Sequence, residues 1–389
     1  MNNPYPLTGS EKNPAHPNLP QRVLLDVGDP MEGPTLVVFA GIHGNETSGL
    51  ESVRRLARAI EHDQIAIRGR ILAVSGNRKA IACNQRFIDR DLNRRWGRKV
   101  TPAESHIVSA EDEEQAELVR ILKELQSASP AKDAGGVVLL DLHSTSGKTP
   151  AFCCLADAPG NHRLAFALGL PIIFGLEETA DGTLLGYYND LGVPGLAVEG
   201  GQHDDPRTIE RQLAAVWVLL SSIGILDPGL THVRGAIESL AAATKGRPQA
   251  VEIVHRHPVH EDDEFKMVAG FASFQRVTQG MLLAHDRSGA ITAPMDGRIL
   301  LPLYQGKGED GFFLASDMTA AKLSFLNILR QLRVDRALRL LPGVHTVEGE
   351  DAFKITDSPM RALNRRVLGL FGYRRESGDN IISRRRQLQ

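Results

Sequence analysis

Short apolar runs alternate with segments of helical periodicity over residues 21–235, and this alternation limits the possible folds more than any other feature. Continuous apolar runs indicate buried strands, whereas apolar residues three or four positions apart indicate helices. Helices are predicted at 46–63, 111–126 and 205–223. The predicted strands are RVLLDV, TLVVFAGI, GRILAVSGN, GGVVLLDLH, LGLPIIFG and VPGLAVEGG. The pattern favours an α/β fold with a largely parallel or mixed sheet, whose binding sites lie at the carboxyl ends of strands.

The composition changes near Ala241–Gln249, and beyond it short strand-like segments alternate with glycine-containing turns. Ser316 or Asp317 is expected to cap a helix that continues to Leu341. Residues 360–389 carry eight arginines against two acidic residues, and we interpret them as a solvated or disordered tail. Four parts are therefore predicted: an N-terminal arm (1–20), a main α/β domain (21–235), a smaller β-domain (248–314) and a C-terminal helix with a basic tail (315–389).

Bulk composition bears on the partners and the compartment of the protein. The net charge of -2 and the pI near 6.7 favour neither nucleic acid nor a membrane surface as a partner. No secretory signal is visible, and the apolar runs are too short to cross a bilayer. The chain has three cysteines, Cys83, Cys153 and Cys154, and this odd number argues against a disulfide framework. We expect a cytoplasmic protein with a small-molecule partner; homo-oligomer formation stays open.

A candidate metal site comprises two histidines and one glutamate. The loop GIHGNE places His43 and Glu46 three positions apart between a predicted strand and helix, and His143 ends another predicted strand. Two imidazoles and one carboxylate, with a fourth position left to water, suit catalytic zinc, although other divalent metals accept the same ligands. Asp141 is expected on the same strand face as His143, where its carboxylate can accept the ring N–H.

Chance remains an alternative for this site, because a His-x-x-Glu pair is common and motif matches often mislead. The chain also has a tighter histidine cluster, formed by His255, His257 and His260. That cluster lies in a strand-like stretch, and we interpret it as a polar strand face rather than a metal site.

The segment RFIDRDLNRRW, from Arg86 to Trp96, mixes arginines with Asp89 and Asp91 and with apolar anchors. A solvated surface is one interpretation. A rigid loop whose planar guanidinium groups clamp carboxylates is the other. A hydrolase acting on an acylated amino acid needs one cation for the carboxylate and another where negative charge develops at the scissile carbonyl.

Glu199 follows the apolar run VPGLAV and precedes Gly200-Gly201. A carboxylate at the end of a buried strand can act as a general base that moves a proton from water to the leaving nitrogen. A surface carboxylate, or an N-cap for the following helix, fits this segment equally well.

The segments GIHGNE, RFIDRDLNR and DLH, followed by an apolar strand that ends in glutamate, occur together and in this order. This combination resembles the succinylglutamate desuccinylase/aspartoacylase family, which is related to the zinc carboxypeptidases. The resemblance covers roughly residues 30–315. It implies a zinc hydrolase domain over 21–235 with a zinc-carboxypeptidase-like mixed sheet flanked by helices, and a smaller C-terminal β-domain over 248–314 that caps the site.

The resemblance also implies roles for individual residues. The ligands of one Zn²⁺ per chain would be His43, Glu46 and His143. Polarisation of the scissile carbonyl would fall to Arg86, and the role of general base to Glu199. The substrate side would comprise Asn93 and Arg94 for the α-carboxylate, Asp91 to orient the loop, and Tyr304 from the cap.

The resemblance further implies a zinc-dependent amidohydrolase that removes an acetyl- or succinyl-type acyl group from a small N-acyl amino acid. A metallocarboxypeptidase acting on short peptides and a non-catalytic metal-binding relative are the alternatives. One departure bears on the substrate: aspartoacylase uses a further arginine shortly before the base, whereas residues 177–198 contain no Arg or Lys. This departure disfavours N-acetylaspartate and favours a neutral or cationic side chain.

Overall fold

The computed structural model describes residues 19–97, 108–128, 136–156, 159–176, 182–305, 308–318, 343–346, 352–355, 373–375 and 381–384. The chain divides into two compact units. The first unit comprises residues 1–187 and 194–317, and the second comprises 188–193 and 318–389. No helix in the described part of the chain is long and apolar enough to cross a membrane.

Eleven strands of the first unit form one mixed sheet in the order β1-β3-β2-β4-β7-β5-β6-β8-β14-β13-β10, and three more form a sheet in the order β12-β11-β9. The strands are β1 Val23–Gly28, β2 Thr35–Ala40, β3 Arg70–Ser75, β4 Val137–Thr145, β5 Phe152–Cys154, β6 Ile172–Phe174, β7 Gly195–Gln202, β8 Ala250–Pro258, β9 Lys266–Met267, β10 Gln275–Val277, β11 Leu282–Asp286, β12 Gly289–Thr292, β13 Gly297–Leu300 and β14 Asp310–Asp317. Neighbours from β3 through β2 and β4 to β7 pair in parallel. The expectation of a mixed α/β sheet is confirmed.

The described helices include the three that the sequence predicts within residues 21–235. They are α1 Ser48–His62, α2 Arg78–Cys83, α3 Ala110–Ala128, α4 Pro159–Leu168, α5 Leu184–Asp190, α6 Pro206–Ser222 and α7 Thr231–Thr244. Helix α6 begins as predicted, because Pro206 occupies the first turn and the Asp205 side chain accepts a hydrogen bond from the backbone N–H of Arg207. The helices α2, α4, α5 and α7 were not predicted.

The core lies between the central strands and the helices that cover them. Residues 35–40 of β2 are all buried, as are residues 138–145 of β4, so both faces of these strands are covered. The apolar stripe of α1 that the sequence predicts is buried too, at Leu50, Val53, Leu56 and Ile60. Burying one such side chain contributes about 1.5–3 kcal/mol, so this stripe holds α1 to the core.

The strands expected beyond residue 250 are present, and four of them extend the main sheet. β8 pairs in parallel with β6, and β14, β13 and β10 follow it in antiparallel order. A separate apolar cluster, which includes Met267, Leu283, Phe312 and Leu314, lies between these strands and the three-stranded sheet. This arrangement places the segment between β13 and β14 beside the carboxyl ends of the central strands.

The second unit contains a four-stranded antiparallel sheet in the order β15-β16-β18-β17. Its strands are β15 Val344–Thr346, β16 Ala352–Ile355, β17 Tyr373–Arg375 and β18 Ile381–Arg384. The interpretation of 360–389 as an open tail is therefore wrong for residues 373–375 and 381–384, because their backbones pair with each other. Ser316 and Asp317 belong to β14, and residues 319–341 of the predicted helix lie outside the described residues. The predicted N-terminal arm (1–20) also lies outside the described residues, apart from Leu19 and Pro20.

Candidate active site

Three potential metal ligands converge at the carboxyl ends of β2 and β4. Nδ1 of His43 lies 2.8 Å from Oε1 of Glu46, and Nδ1 of His143 lies 3.1 Å from Oε2 of the same carboxylate. One ligand atom from each side chain falls within 4.8 Å of the other two, and all three residues are buried. The loop that carries His43 and Glu46 packs closely on α2, because a Cβ at Gly44 would lie 2.1 Å from the carbonyl carbon of Ala80.

Each imidazole has a second carboxylate on its outer nitrogen. Nε2 of His143 lies 2.8 Å from Oδ2 of Asp141, which is the contact that the strand alternation predicts. Nε2 of His43 lies 3.2 Å from Oδ1 of Asp91, a contact that the sequence did not indicate. These carboxylates favour the tautomer that leaves both Nδ1 atoms as acceptors facing Glu46, as metal-binding histidines require. The donor set therefore fits zinc.

Strong mutual attraction offsets the burial of these charges. Burial acts to raise the pKa of Glu46, but His43 and His143 outweigh it and hold this pKa well below its usual value. Burial acts to lower the pKa of His143, but Asp141 and Glu46 outweigh it and raise this pKa well above its usual value. The site is thus strongly attractive to positive charge, and a divalent cation would compete with the histidine proton.

The arginine loop, residues 86–95, lies beside the three ligands. Nε and Nη2 of Arg86 donate to Oδ2 of Asp91 at 3.1 and 2.9 Å, and its Nη1 lies 3.5 Å from Oε1 of Glu46. Asp91 therefore contacts both Arg86 and His43, and it also accepts a hydrogen bond from the backbone N–H of Asn93. One carboxylate thus links the loop to the candidate metal site.

Asn93 and Arg94 present donors to the cavity that contains the site. The side-chain carbonyl of Asn93 accepts a hydrogen bond from the backbone N–H of Leu184 at 2.9 Å, so its amide nitrogen is the end left to donate. Nη1 of Arg94 donates to the carbonyl oxygen of Asn93, while its other nitrogens lie 3.6 Å from Asp310 and 4.0 Å from Glu309. Both residues line the cavity.

Glu111 binds the backbone of the arginine loop, a role that no sequence pattern indicated. Its carboxylate is fully buried and accepts hydrogen bonds from the backbone N–H groups of Ile88, Asp89 and Arg90 and from the Asn77 side chain. These four donors satisfy the hydrogen-bonding capacity of the buried carboxylate without a metal or an arginine. Acidic residues in the first turn of a helix are common, so this position did not distinguish Glu111 from its neighbours in α3.

Glu199 reaches the same cavity from β7, where it is paired in register with His143 of β4 and Phe152 of β5. Its Oε2 is buried and has no hydrogen-bond partner within the part of the chain that the structure describes. Burial, with repulsion from Glu46, raises the pKa of Glu199 to about 8. The glycine that follows serves packing, because a Cβ at Gly200 would lie 2.8 Å from the carbonyl oxygen of Thr208.

The cavity brings together all but one of the predicted site residues. Besides the three candidate ligands it is lined by Arg86, Asp91, Asn93, Arg94 and Glu199. Tyr304 is the exception, because its hydroxyl accepts a hydrogen bond from the backbone N–H of Phe271 at 2.9 Å and lies 3.1 Å from the carbonyl oxygen of Val268. Its neighbour Gln305 lines the cavity instead. The placement of Tyr304 does not support the substrate-binding role expected for it.

Ser144 and His203 form a further pair beside the ligands that no motif indicated. The backbone N–H of Ser144 donates to Oε2 of Glu46 at 2.9 Å, and its hydroxyl lies 2.8 Å from Nδ1 of His203. Burial lowers the pKa of His203. The backbone N–H of Ser144 holds Oε2 of Glu46, whereas Arg86 lies near Oε1 of the same carboxylate.

Known proteins match this chain mainly over its α/β part. Residues 32–221 match the family described as the succinylglutamate desuccinylase/aspartoacylase catalytic domain. A stretch of 62 residues is 42% identical to the succinylglutamate desuccinylase of Erwinia tasmaniensis, and it covers 16% of this chain and 19% of that protein. The corresponding enzyme of Burkholderia thailandensis is 38% identical over 68 residues, which are 18% of this chain and 20% of that protein. The chain thus spans about a fifth of the curated relatives that it matches.

Solved structures share the fold over a longer part of the chain. The succinylglutamate desuccinylase of Vibrio cholerae superposes with a TM-score of 0.57 at 18% identity, covering 76% of this chain and 85% of that one. The product-bound structure of the ectoine utilization protein EutE (DoeB) of Ruegeria pomeroyi superposes with a TM-score of 0.52 at 18% identity. The superposition covers 73% of this chain and 85% of that one.

The fold and the buried site define the class of the protein as an α/β protein with a potential metal-binding group at the carboxyl ends of its strands. Residues 32–221, slightly less than half of the chain, are similar to the catalytic domain of the succinylglutamate desuccinylase/aspartoacylase family.

Proposed function

We propose that this chain is a zinc-dependent amidohydrolase that removes the acyl group from a small N-acyl amino acid. The observation that carries the proposal is the convergence on one cavity of the three candidate ligands, two guanidinium groups and a buried carboxylate without a partner among the described residues. This combination supplies a Lewis-acid site, a carboxylate clamp and a base, which are the groups that amide hydrolysis requires.

His43, Glu46 and His143 would hold the metal ion. Zinc bound to such a set lowers the pKa of water and polarises a carbonyl group. Asp91 and Asp141 keep the two imidazoles in the tautomer that binds a metal, and their contacts at 3.2 and 2.8 Å support this role.

Glu199 would move the proton. Its carboxylate takes a proton from the attacking water and returns it to the leaving nitrogen, which then departs as a neutral amine. A pKa of about 8 suits both steps near neutral pH, because the group can accept a proton and give it up again without a large energetic penalty.

Arg86 would face the scissile carbonyl oxygen, since its guanidinium group is held beside Glu46 by Asp91. Negative charge that develops on this oxygen is stabilised by a cation that needs no reorganisation. The amide nitrogen of Asn93 and the guanidinium group of Arg94 would bind the α-carboxylate of the substrate, which places the amide bond between Arg86 and Glu199.

The test uses the zinc-loaded protein, its Glu199→Gln variant and a chelated sample, each assayed on N-acetyl amino acids and on short peptides. We expect hydrolysis of the N-acetyl amino acids, no activity after chelation, and a loss of turnover of about a thousandfold or more in Glu199→Gln with its zinc content unchanged. Glu117→Gln, in a half-buried glutamate outside the cavity, serves as the control. Near-normal turnover in Glu199→Gln, or preferred cleavage of peptides, would contradict the proposal.

A further inference from the structure

We propose that the substrate carries only one carboxylate, so that neither its acyl group nor its amino-acid side chain is anionic. This inference rests on the proposed function, and it concerns the charge of the two substrate groups on either side of the amide bond. It follows from a comparison of the cations that line the cavity with the acids and apolar groups around them.

The described residues that line the cavity include two guanidinium groups, those of Arg86 and Arg94. Arg86 already uses Nε and Nη2 on Asp91, and its Nη1 points toward Glu46. These contacts commit Arg86 to the catalytic side of the cavity. A substrate carboxylate bound there would compete with two protein carboxylates for the same donors.

Arg94 is the cation with donors left for a ligand. Its one hydrogen bond within the described residues goes from Nη1 to the carbonyl oxygen of Asn93, and its ion-pair contacts of 3.6 and 4.0 Å exceed hydrogen-bonding distance. Together with the amide of Asn93, Arg94 forms a two-sided clamp of the size of one carboxylate. The α-carboxylate of the substrate would fill it.

Acidic residues surround the far side of Arg94. Glu309 and Asp310 both line the cavity, and the side chain of Glu309 is 63% exposed. Asp310 is also held by Arg256. A second substrate carboxylate near this rim would meet Glu309 before it met an uncommitted cation, and like charges repel at this range.

The rest of the described cavity lining carries no charge. It contains the polar residues Ser144, Thr145, Ser146, Thr183 and Gln305, together with Pro302, Gly308, Cys154, Leu176, Ala197, Leu301, Leu303 and Phe313. Such a wall favours an uncharged acyl chain or side chain, because a carboxylate placed against it loses water without gaining an oppositely charged partner. Succinylglutamate and acylated aspartate carry more than one carboxylate, so the inference separates this chain from the substrates for which that family is named.

The first experiment compares matched substrates on the zinc-loaded full chain. N-acetylglutamine is paired with N-acetylglutamate, and the N-butanoyl derivative of one amino acid is paired with its N-succinyl derivative. We expect kcat/KM to favour the uncharged member of each pair by about tenfold or more. Equal or better turnover of the dianionic members would overturn the inference but leave the proposed function intact. Failure to hydrolyse any member would overturn both.

The second experiment tests the acidic rim. Glu309→Gln removes one negative charge from the cavity lining. Glu264→Gln removes one negative charge from an exposed residue that does not line the cavity, and it serves as the control. We expect Glu309→Gln to raise the kcat/KM ratio of N-acetylglutamate to N-acetylglutamine by about threefold or more, and Glu264→Gln to leave the ratio unchanged. An unchanged ratio in Glu309→Gln would contradict the assigned role of the rim.

A third variant addresses the one lysine or arginine between Leu301 and Asp310, which is Lys307 and lies outside the described residues. Lys307→Gln should not alter the preference between the matched substrates. If N-acetylglutamate or an N-succinyl amino acid is a good substrate and this variant abolishes that activity, the inference is overturned.

Discussion

Glu46 and Glu199 line the same cavity, yet their neighbours drive their pKa values in opposite directions. The carboxylate of Glu46 lies between two imidazoles, which hold its pKa well below the usual value despite burial. Burial and the nearby charge of Glu46 raise the pKa of Glu199 to about 8. Two carboxylates with opposed pKa values commonly divide structural and proton-transfer roles between them.

The raised pKa of Glu199 predicts a stability effect. The folded-state pKa lies above the unfolded value, so the folded protein holds this proton more tightly and loses stability as pH rises from about 4.5 towards 8. Glu199→Gln removes this loss, and we expect it to raise the Tm of the metal-free protein by a few degrees at pH 8 and less at pH 5.

Calorimetry in the presence of a chelator measures this difference. Glu117→Gln is the control of opposite sign, because Arg22 and Arg78 outweigh burial and lower the pKa of Glu117. That variant should have a lower Tm than the wild type at pH 8. A Tm for Glu199→Gln below that of the wild type at pH 8 would show that the carboxylate of Glu199 has a stabilising partner.

The cysteines predict a clear difference in chemical reactivity. Burial raises the pKa of Cys153 to about 12, whereas Cys83 is exposed. The thiolate is the reactive form, so we expect an alkylating reagent at pH 8 to modify Cys83 within minutes and leave Cys153 intact in the native protein. Peptide mapping by mass spectrometry measures both sites, and Cys83→Ser should remove the fast phase. Rapid labelling of Cys153 would contradict its buried environment.

At the scale of elements, the arginine loop depends on the start of helix α3. Glu111 binds three successive backbone N–H groups of this loop, Asp112 pairs with Arg95, and Asp89 accepts a hydrogen bond from the N–H of Ala110. These reciprocal contacts hold the loop on the helix terminus. The guanidinium groups on the cavity side are therefore positioned by carboxylates that are not among the residues lining the cavity.

We predict that Glu111→Gln lowers kcat/KM by about tenfold to a hundredfold, because an amide can accept at only one of the two carboxylate oxygens. The zinc content should stay unchanged, because none of the hydrogen bonds that Glu111 makes within the described residues goes to His43, Glu46 or His143. Glu113→Gln, in the same helical turn but largely exposed, is the matched control. Equal kcat/KM in the two variants would show that Glu111 does not position the loop.

At the scale of the whole molecule, two distant parts of the sequence meet at the candidate metal site. His43 and Glu46 follow β2, and His143 lies in β4 about a hundred residues later, yet β2 and β4 are neighbours in the sheet. A bound ion would therefore link two elements of the core. A ligand that binds the folded state alone stabilises it, by about 2.7 kcal/mol at a free concentration of a hundred times Kd.

Zinc should accordingly raise the Tm of the wild-type chain by several degrees, and His143→Ala should abolish this shift. His285→Ala, at an exposed histidine on β11, should retain it. Differential scanning calorimetry with and without zinc measures the effect. A zinc-dependent shift that persists in His143→Ala would place the ion elsewhere.

Local sequence was sufficient to locate most of the candidate site residues. The strands β1–β4, β6 and β7, the helices α1, α3 and α6 and the segments around His43, Arg86 and His143 could be predicted, because apolar periodicity and short-range spacing are properties of the chain itself. The contact between Asp141 and His143 followed in the same way, since strand alternation places residues two apart on one face.

Tertiary structure alone decided the remaining contacts. The parallel pairing of β6 with β8 brings the segment after β13 to the cavity, and a three-residue strand such as β6 carries no local signal for its partner. Long-range register likewise decided that Glu111 supports the arginine loop, that Tyr304 faces the backbone at 268–271, and that the Oε2 atom of Glu199 is buried near Glu46. These contacts join residues far apart in sequence, and their energies depend on burial and on neighbouring charge, which exist only once the chain has folded.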